Sequence, residues 1–297
     1  MIGMDIDWLF FAEISLAGLG TGGLYALTGL AFVIIYKSTR VVNLAIGEML
    51  MLGAYLCYGL IISLGLPVWL ALVLAIAGSG IAGGVIERLA IRPMLGESPI
   101  SVFMVTVGLA AVLVGLVELV WTADPRRMPT IMPEGAIFIG EAFVPSKVFY
   151  GFIVTVILIT AVLLVFRYWR GGVALRATAS DQPAAYSMGI NVPRVFSLSW
   201  SVAAMIAAVA GVVVGAIGGI SPAMGIFGLS VLVVVIVGGL DSVLGALVAG
   251  VAIGLIEAWA SGYLGGEYKI VATFLVLIVV LMIRPYGLFG TREIERL

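Results

Sequence analysis

Residues 14–36 read ISLAGLGTGGLYALTGLAFVIIY, a run without one Asp, Glu, Lys or Arg. An α-helix needs about 20 consecutive apolar residues to cross the hydrocarbon core of a bilayer. The run therefore reads as a membrane span, and working outward the same reading recurs. Comparable runs occupy 43–63, 67–87, 100–121, 147–166, 195–219, 243–263 and 268–284. A further run, 222–240 (PAMGIFGLSVLVVVIVGGL), is short and bounded by glycine. The prediction is an all-α, polytopic membrane protein. It has eight full transmembrane helices plus one short or discontinuous crossing, in a single domain over residues 1–297.

Composition agrees. Of 297 residues 63% are hydrophobic and only 10% charged, against about 25% charged in soluble domains. So little charge cannot cover a water-facing surface, so lipid must be the solvent. Glycine is in excess too: 39 residues, about 13% against an average near 7%. Many recur at four-residue spacing: Gly18/Gly22, Gly80/Gly84, Gly211/Gly215/Gly219 and Gly250/Gly254. Each pair reads first as ordinary close helix packing; together they also suit helices that must slide and rock.

The counts exclude whole classes of chemistry. There is no histidine and one cysteine, Cys57, which removes histidine triads, histidine zinc sites and disulfide frameworks. Lys37-Ser38 lacks the upstream glycines of a phosphate loop, so ATP hydrolysis at a Walker-type site is not expected here. No catalytic residue, metal site or cofactor is assigned. Fifteen Lys+Arg against sixteen Asp+Glu leave no basic block for nucleic acid. Asp5, Asp7 and Glu13 precede the first span with no Lys or Arg. That is unlike the basic start of a secretory signal, and the span reads as retained.

The cations orient the layout. With the N-terminus outside and every run crossing, the inside set is Lys37, Arg40, Arg88, Arg92, Arg167, Arg170, Arg176, Arg194, Arg284, Arg292 and Arg296. The outside set is Arg126, Arg127, Lys147 and Lys269. This obeys the positive-inside rule with a cytoplasmic C-terminus, and only if 222–240 crosses. Residues 122–146, with Pro125, Pro129, Pro133 and Pro145, become an extracytoplasmic loop. Residues 167–194 become the longest cytoplasmic insertion. Within it Gln182–Gly189 suits a short helix: Asp181 at the N-cap, Pro183 in the first turn, Gly189 as the stop. Such a helix has no task in holding spans together and suits docking.

Polar residues interrupt the apolar runs at two places. Asn43-Leu-Ala-Ile-Gly47-Glu48 opens the second run; Ser221-Pro222, followed by Gly225, opens the short crossing. Such breaks free backbone groups, which is tolerated only against protein or water. Transporters use them to place polar atoms at mid-membrane. Asn43, Gly47, Glu48, Ser221, Pro222 and Gly225 are therefore the candidate pathway residues. A carboxylate in lipid is costly, so Glu48 either pairs with Lys37 or Arg40 or faces a pathway. Glu118 reads as reaching the outer headgroups and Glu257 as lying at a helix interface. The two broken regions have similar contexts, which suggests duplicated halves at roughly 14–121 and 195–284.

Several blocks resemble the shorter permease subunit of branched-chain amino acid ABC importers. They are Gly23-Leu-Tyr-Ala-Leu27, Val42-Asn-Leu-Ala-Ile-Gly-Glu48 with Met51-Leu-Gly-Ala-Tyr55, and Arg176-Ala177 with Met188-Gly-Ile-Asn191. Gly238-Gly239, Gly245-Ala246 and Arg284-Pro-Tyr-Gly-Leu-Phe-Gly290 complete the set. Ile46 stands where the family usually has His or Gln, and Asp241 where it usually has Gly. The family also moves urea, amides and other small solutes.

The resemblance implies a non-enzymatic translocation subunit in the bacterial inner (cytoplasmic) membrane, working by alternating access. Its implied partners are a second permease subunit as a heterodimer, two cytoplasmic ATPases that bind the ATP, and an extracytoplasmic solute-binding protein. Ala184-Ala185-Tyr-Ser-Met-Gly189 resembles the coupling segment that docks on the ATPase. Arg176, Asp181, Ala184, Ala185, Gly189 and Asn191 are the implied coupling residues. The alternative is an ion-coupled secondary transporter with Glu48, Glu118 or Glu257 as relays, which leaves the capped helix without a role.

Overall fold

The computed structural model describes residues 7–291; Asp5, Arg292 and Arg296 of the preceding arguments lie outside them. In chain order the helices begin with α1 (Trp8–Thr39), α2 (Ile46–Ile62), α3 (Val68–Ile86) and α4 (Pro99–Trp121). A short hairpin follows, β1 (Ala136–Ile139) and β2 (Ala142–Pro145). Then come α5 (Ser146–Tyr168), α6 (Arg170–Ser180), α7 (Gln182–Ser187) and α8 (Val192–Gly218). The chain continues through a 3-10 turn, Pro222–Ile226, into α9 (Phe227–Gly238), α10 (Val243–Tyr263) and α11 (Tyr268–Ile283).

This is a polytopic helical membrane protein, but the eight full spans resolve differently. Among the described residues six helices are long and apolar enough to cross: α1, α3 with its continuation to Met94, α4, α5, α8 and α10. Three apolar helices are shorter: α2 with 17 residues, Pro222–Gly238, and α11 with 16. The reason is local. Residues 43–45, counted as the start of the second run, are non-helical, so α2 loses its first turn. Pro285 follows α11 and cannot continue it.

α1 is longer than its apolar run because both ends are capped. The Asp7 carboxylate accepts from Leu9 N at 3.0 Å and Phe10 N at 3.3 Å. Arg40 closes the far end in the left-handed conformation. Over its most apolar stretch α1 is 89% buried, against 22% for α4 and 11% for α5. α1 is therefore a central post, while α4 and α5 turn mainly to lipid.

Glycines set the packing. A Cβ on Gly254 would collide with the Gly22 backbone, and one on Gly250 would sit 2.6 Å from Ala26 N. α10 thus lies antiparallel against α1 at backbone contact. α8 meets α3 in the same way, Gly83 seating against Trp200 and Ala204. Lipid-solvated helices gain most from such close approach. The two regions read as halves are reciprocal: the first helix of each packs most extensively on the third of the other, α1 on α10 and α8 on α3.

Two local elements differ from expectation. The loop 122–146 carries the antiparallel hairpin β1–β2, with Phe138 opposite Phe143 and Gly140 at positive φ in its turn. Lys147, 2.9 Å from Glu134 at the hairpin's base, holds that carboxyl below the usual carboxylate range. The insertion 167–194 holds two helices instead of one. Gly171 and Gly172 weakened the helical signal of α6, yet Gly172, Leu175 and Thr178 form a buried face.

Candidate functional site

The two sequence-level breaks meet. The non-helical stretch 41–45 enters from the end of the bundle that carries α6 and α7. Residues 219–226 enter from the end that carries the hairpin loop. They touch where Gly47 lies directly against Gly225 and Gly228. A Cβ on Gly47 would collide with Gly225 O and come within 2.8 Å of Gly228 N. On Gly225 a Cβ would come within 2.6 Å of Glu48 Oε1. Backbone against backbone closes this junction, and the Glu48 carboxylate sits at its edge.

Each neighbour has a defined task. Asn43 is fully buried; its Oδ1 accepts from Ala45 N at 3.0 Å and its Nδ2 lies 3.3 Å from Met49 Sδ. It therefore forms an Asx turn that satisfies Ala45 N just ahead of α2, whose own N-cap residue is Ala45. Glu48 pairs with neither Lys37 nor Arg40; its Oε2 is buried with no hydrogen-bond partner. Ser221 and Pro222 open the 3-10 turn and are half-buried. Ile46 is buried at the junction near Gly228. Asp241 lies apart from it, accepting hydrogen bonds from Thr291.

Sequence reading missed two residues here. Thr106 Oγ1 of α4 accepts from Leu44 N at 3.4 Å and lies 3.3 Å from Val42 O, its hydroxyl hydrogen shared with the nearer Phe103 O at 2.8 Å, and so flanks the first break from the side. Arg126 exchanges backbone hydrogen bonds with Ile220, both at 2.8 Å, and reaches the Tyr58 hydroxyl at 3.3 Å. It covers the second break from the hairpin end. An isolated hydroxyl in an apolar helix was the only signal for Thr106; Arg126 had registered only as an outside cation.

The short helix expected over Gln182–Gly189 forms as α7, ending at Ser187. Asp181 Oδ1 accepts from Ala184 N at 2.9 Å, and Gly189 ends the turn at φ +84°. Ala185 is buried against Val192 and Phe196, whereas Ala184 and Gly189 face outward. Asn191 caps α8, its Oδ1 receiving Arg194 N at 3.1 Å. Arg176 turns back to the carbonyls of Phe166 and Arg167 and so closes the end of α5. Tyr186 of α7 and Met188 at its C-terminal cap, 72% and 82% exposed, are the apolar side chains that project there; helical spacing over six residues gave no signal for them.

A sequence profile for the permease component of branched-chain amino acid transport systems matches residues 14–283. The chain belongs to that family. The high-affinity branched-chain amino acid transport system permease protein LivH of Salmonella typhimurium is 32% identical, over 99% of this chain and 100% of its own. The corresponding protein BraD of Pseudomonas aeruginosa is also 32% identical, over 94% and 95%. Among solved structures, PsaBC from Streptococcus pneumoniae in complex with Fab matches 94% of both chains at TM-score 0.50 and 12% identity. That last likeness is one of fold.

In this member of the family Glu257, the buried one of the three carboxylates considered as relays, is fully paired. Glu257 accepts from Tyr25 Oη at 2.7 Å and Thr273 Oγ1 at 2.6 Å, with Lys269 Nζ at 3.1 Å. It ties α10 to α1 and α11, the interface role read for it. Glu118 is exposed in the last turn of α4. Of the three carboxylates, Glu48 alone has a buried oxygen left without a hydrogen bond. Asn43→Leu removes the hydrogen bond to Ala45 N and leaves that buried donor unsatisfied, a cost of about 1–3 kcal/mol. It is expected to lower uptake more than the amount of assembled complex; unchanged uptake in vesicles would remove 43–48 from the pathway.

Proposed function

We propose that this chain is the translocation subunit of an ATP-driven importer for branched-chain or other neutral amino acids. Membership in the family supports the class. The observation that carries the mechanism is the contact set of α7. Its Gln182 Nε2 donates to Ser38 O at 3.2 Å, and Ala185 packs between the start of α8 and Leu95, beyond the end of α3. Whatever pushes α7 therefore pushes the ends of α1, α3 and α8 directly.

In this reading the N-terminus is outside and α7 lies on the cytoplasmic face. A solute-binding protein delivers the solute at the outer end, including loop 122–146. Two ATPase subunits bind the ATP, engage α7 and, on closing, move it as a rigid body. That motion separates Gly47 from Gly225 and opens the junction beside a second permease subunit. The unsatisfied Glu48 oxygen then faces the path, where it can accept from the ammonium group of a passing amino acid. No bond is made or broken on this chain.

Reconstitution tests the whole reading. Uptake of radiolabelled leucine into proteoliposomes is expected only with the second permease, the ATPases, ATP and loaded binding protein together. Uptake by this chain alone on a proton or sodium gradient would replace the reading with ion-coupled transport.

A further inference from the structure

α3 does not end as a regular helix. After Ile86 it widens into a π-helical turn, Glu87–Ile91, and tightens into a 3-10 turn, Arg92–Met94. Pro93 accounts for part of this, since it lacks the N–H that would continue the α-helical ladder. Single π-turns inside helices concentrate at functional sites.

The charge placed there is unusual. The Glu87 side chain is fully buried, and a buried carboxylate persists only when well paired. Arg92 pairs with it through Nε to Oε1 at 3.0 Å and Nη2 to Oε2 at 2.8 Å. Ser197 Oγ donates to the same Oε2 at 2.6 Å. Arg92 Nη2 also lies 2.7 Å from Ser197 Oγ and 2.9 Å from Pro193 O. One guanidinium thus joins the end of α3 to the first turns of α8.

Those first turns are also the seat of α7. Ala185 packs there with Val192 and Phe196, and Leu95 and Ile190 close the cluster. On its far side the α3–α4 corner leads into α4, where Thr106 flanks the backbone of Val42 and Leu44. Beside the direct Gln182–Ser38 contact at the end of α1, a second path from α7 to the first break runs through this charged joint, and a π-turn lies inside it.

We infer that Arg92 is a positioning residue for transport. Its clamp on Glu87 and Ser197 makes α7, the start of α8 and the α3–α4 corner move as one body. The π-turn at 87–91 is the hinge that lets the rest of α3 stay behind. The inference rests on the reading of α7 as the ATPase-docking helix. A guanidinium that merely neutralised Glu87 would affect the amount of folded protein; a transmitting one sets how much solute moves per ATP.

The experiment uses the full complex in proteoliposomes with loaded binding protein, measuring leucine uptake and ATP hydrolysis in the same vesicles. The double variant Glu87→Gln/Arg92→Ala strands no buried carboxylate. It is expected to retain the ATPases and hydrolyse ATP while solute moved per ATP falls about tenfold, the size of an ordinary coupling effect. Arg92→Lys, a point charge without the planar fork, should give an intermediate ratio. An unchanged ratio in the double variant, or uptake and hydrolysis falling in parallel, would overturn the inference. If that variant does not reach the membrane, Ser197→Ala removes only the α8 limb and must still lower the ratio; a wild-type ratio there overturns it equally. Failure of the wild-type chain to retain ATPases would instead sink the docking reading, whatever Arg92 does.

Discussion

Gly47→Leu is expected to cut uptake roughly a hundredfold while the protein still inserts in the membrane. Even the first added carbon collides with Gly225 O and lies 2.9 Å from Gly228 Cα. Neither neighbour can rotate away, because both are backbone. Overpacking of this kind costs about 1–3 kcal/mol, so the closed junction is lost from the conformational cycle and uptake falls by roughly a hundredfold. Gly47→Ala, which adds only that first carbon, should fall between this and wild type. The control is Gly108→Leu in α4, where an added Cβ meets nothing within 4 Å; it should transport normally. Uptake by Gly47→Leu within a factor of about two of wild type, smaller than half a kcal/mol, would show that the junction need not close.

What the sequence disclosed follows from which forces act locally. Apolar runs and glycine spacing are properties of neighbouring residues, so the spans, the glycine faces of α1 and α10 and both breaks were legible, but not that those two faces meet. So was the cap of α7, since Asp181, Pro183 and Gly189 act within one turn. Span length was less legible, because hydropathy does not register that Asn43 and Ala45 leave the helix. The hairpin was masked by prolines, although Ile137 to Val144 around Gly140 carry a turn signal. α6 was masked by two glycines whose cost is offset by the burial of Leu175.

The tertiary pairs were not legible at all. Glu87 meets Ser197, and Arg126 meets Ile220, across long stretches of chain; no spacing rule reaches that far. Glu87 and Arg92 are close in sequence, yet five residues apart is not a contact spacing on a regular helix. The π-turn makes it one. Asn43 shows the reverse case. Its position was read as a pathway residue, and the structure adds a turn that Asn43 closes on Ala45 N ahead of α2.

Gly189→Trp is expected to abolish co-purification of the ATPase subunits and leave the permease in the membrane. Gly189 has φ +84°, a conformation that costs an L-residue about 1–2 kcal/mol. Its N–H bonds Tyr186 O at 3.0 Å, and Ile190 N bonds Ala185 O at 3.1 Å. A strained residue there loosens the turn that seats Ala185 against Phe196. No atom lies within 4 Å of a Cβ at this position, so the indole projects outward beside Tyr186 and Met188. Strain and bulk both act on the proposed docking face, while the spans are untouched. Gly189→Asn separates the two effects, because asparagine tolerates the left-handed conformation and adds little bulk; it should keep most ATPase binding. Tyr186→Ala/Met188→Ala should weaken binding without strain, by removing the projecting apolar surface alone. If the tryptophan variant retains its ATPases at wild-type stoichiometry, α7 is not the surface they grip.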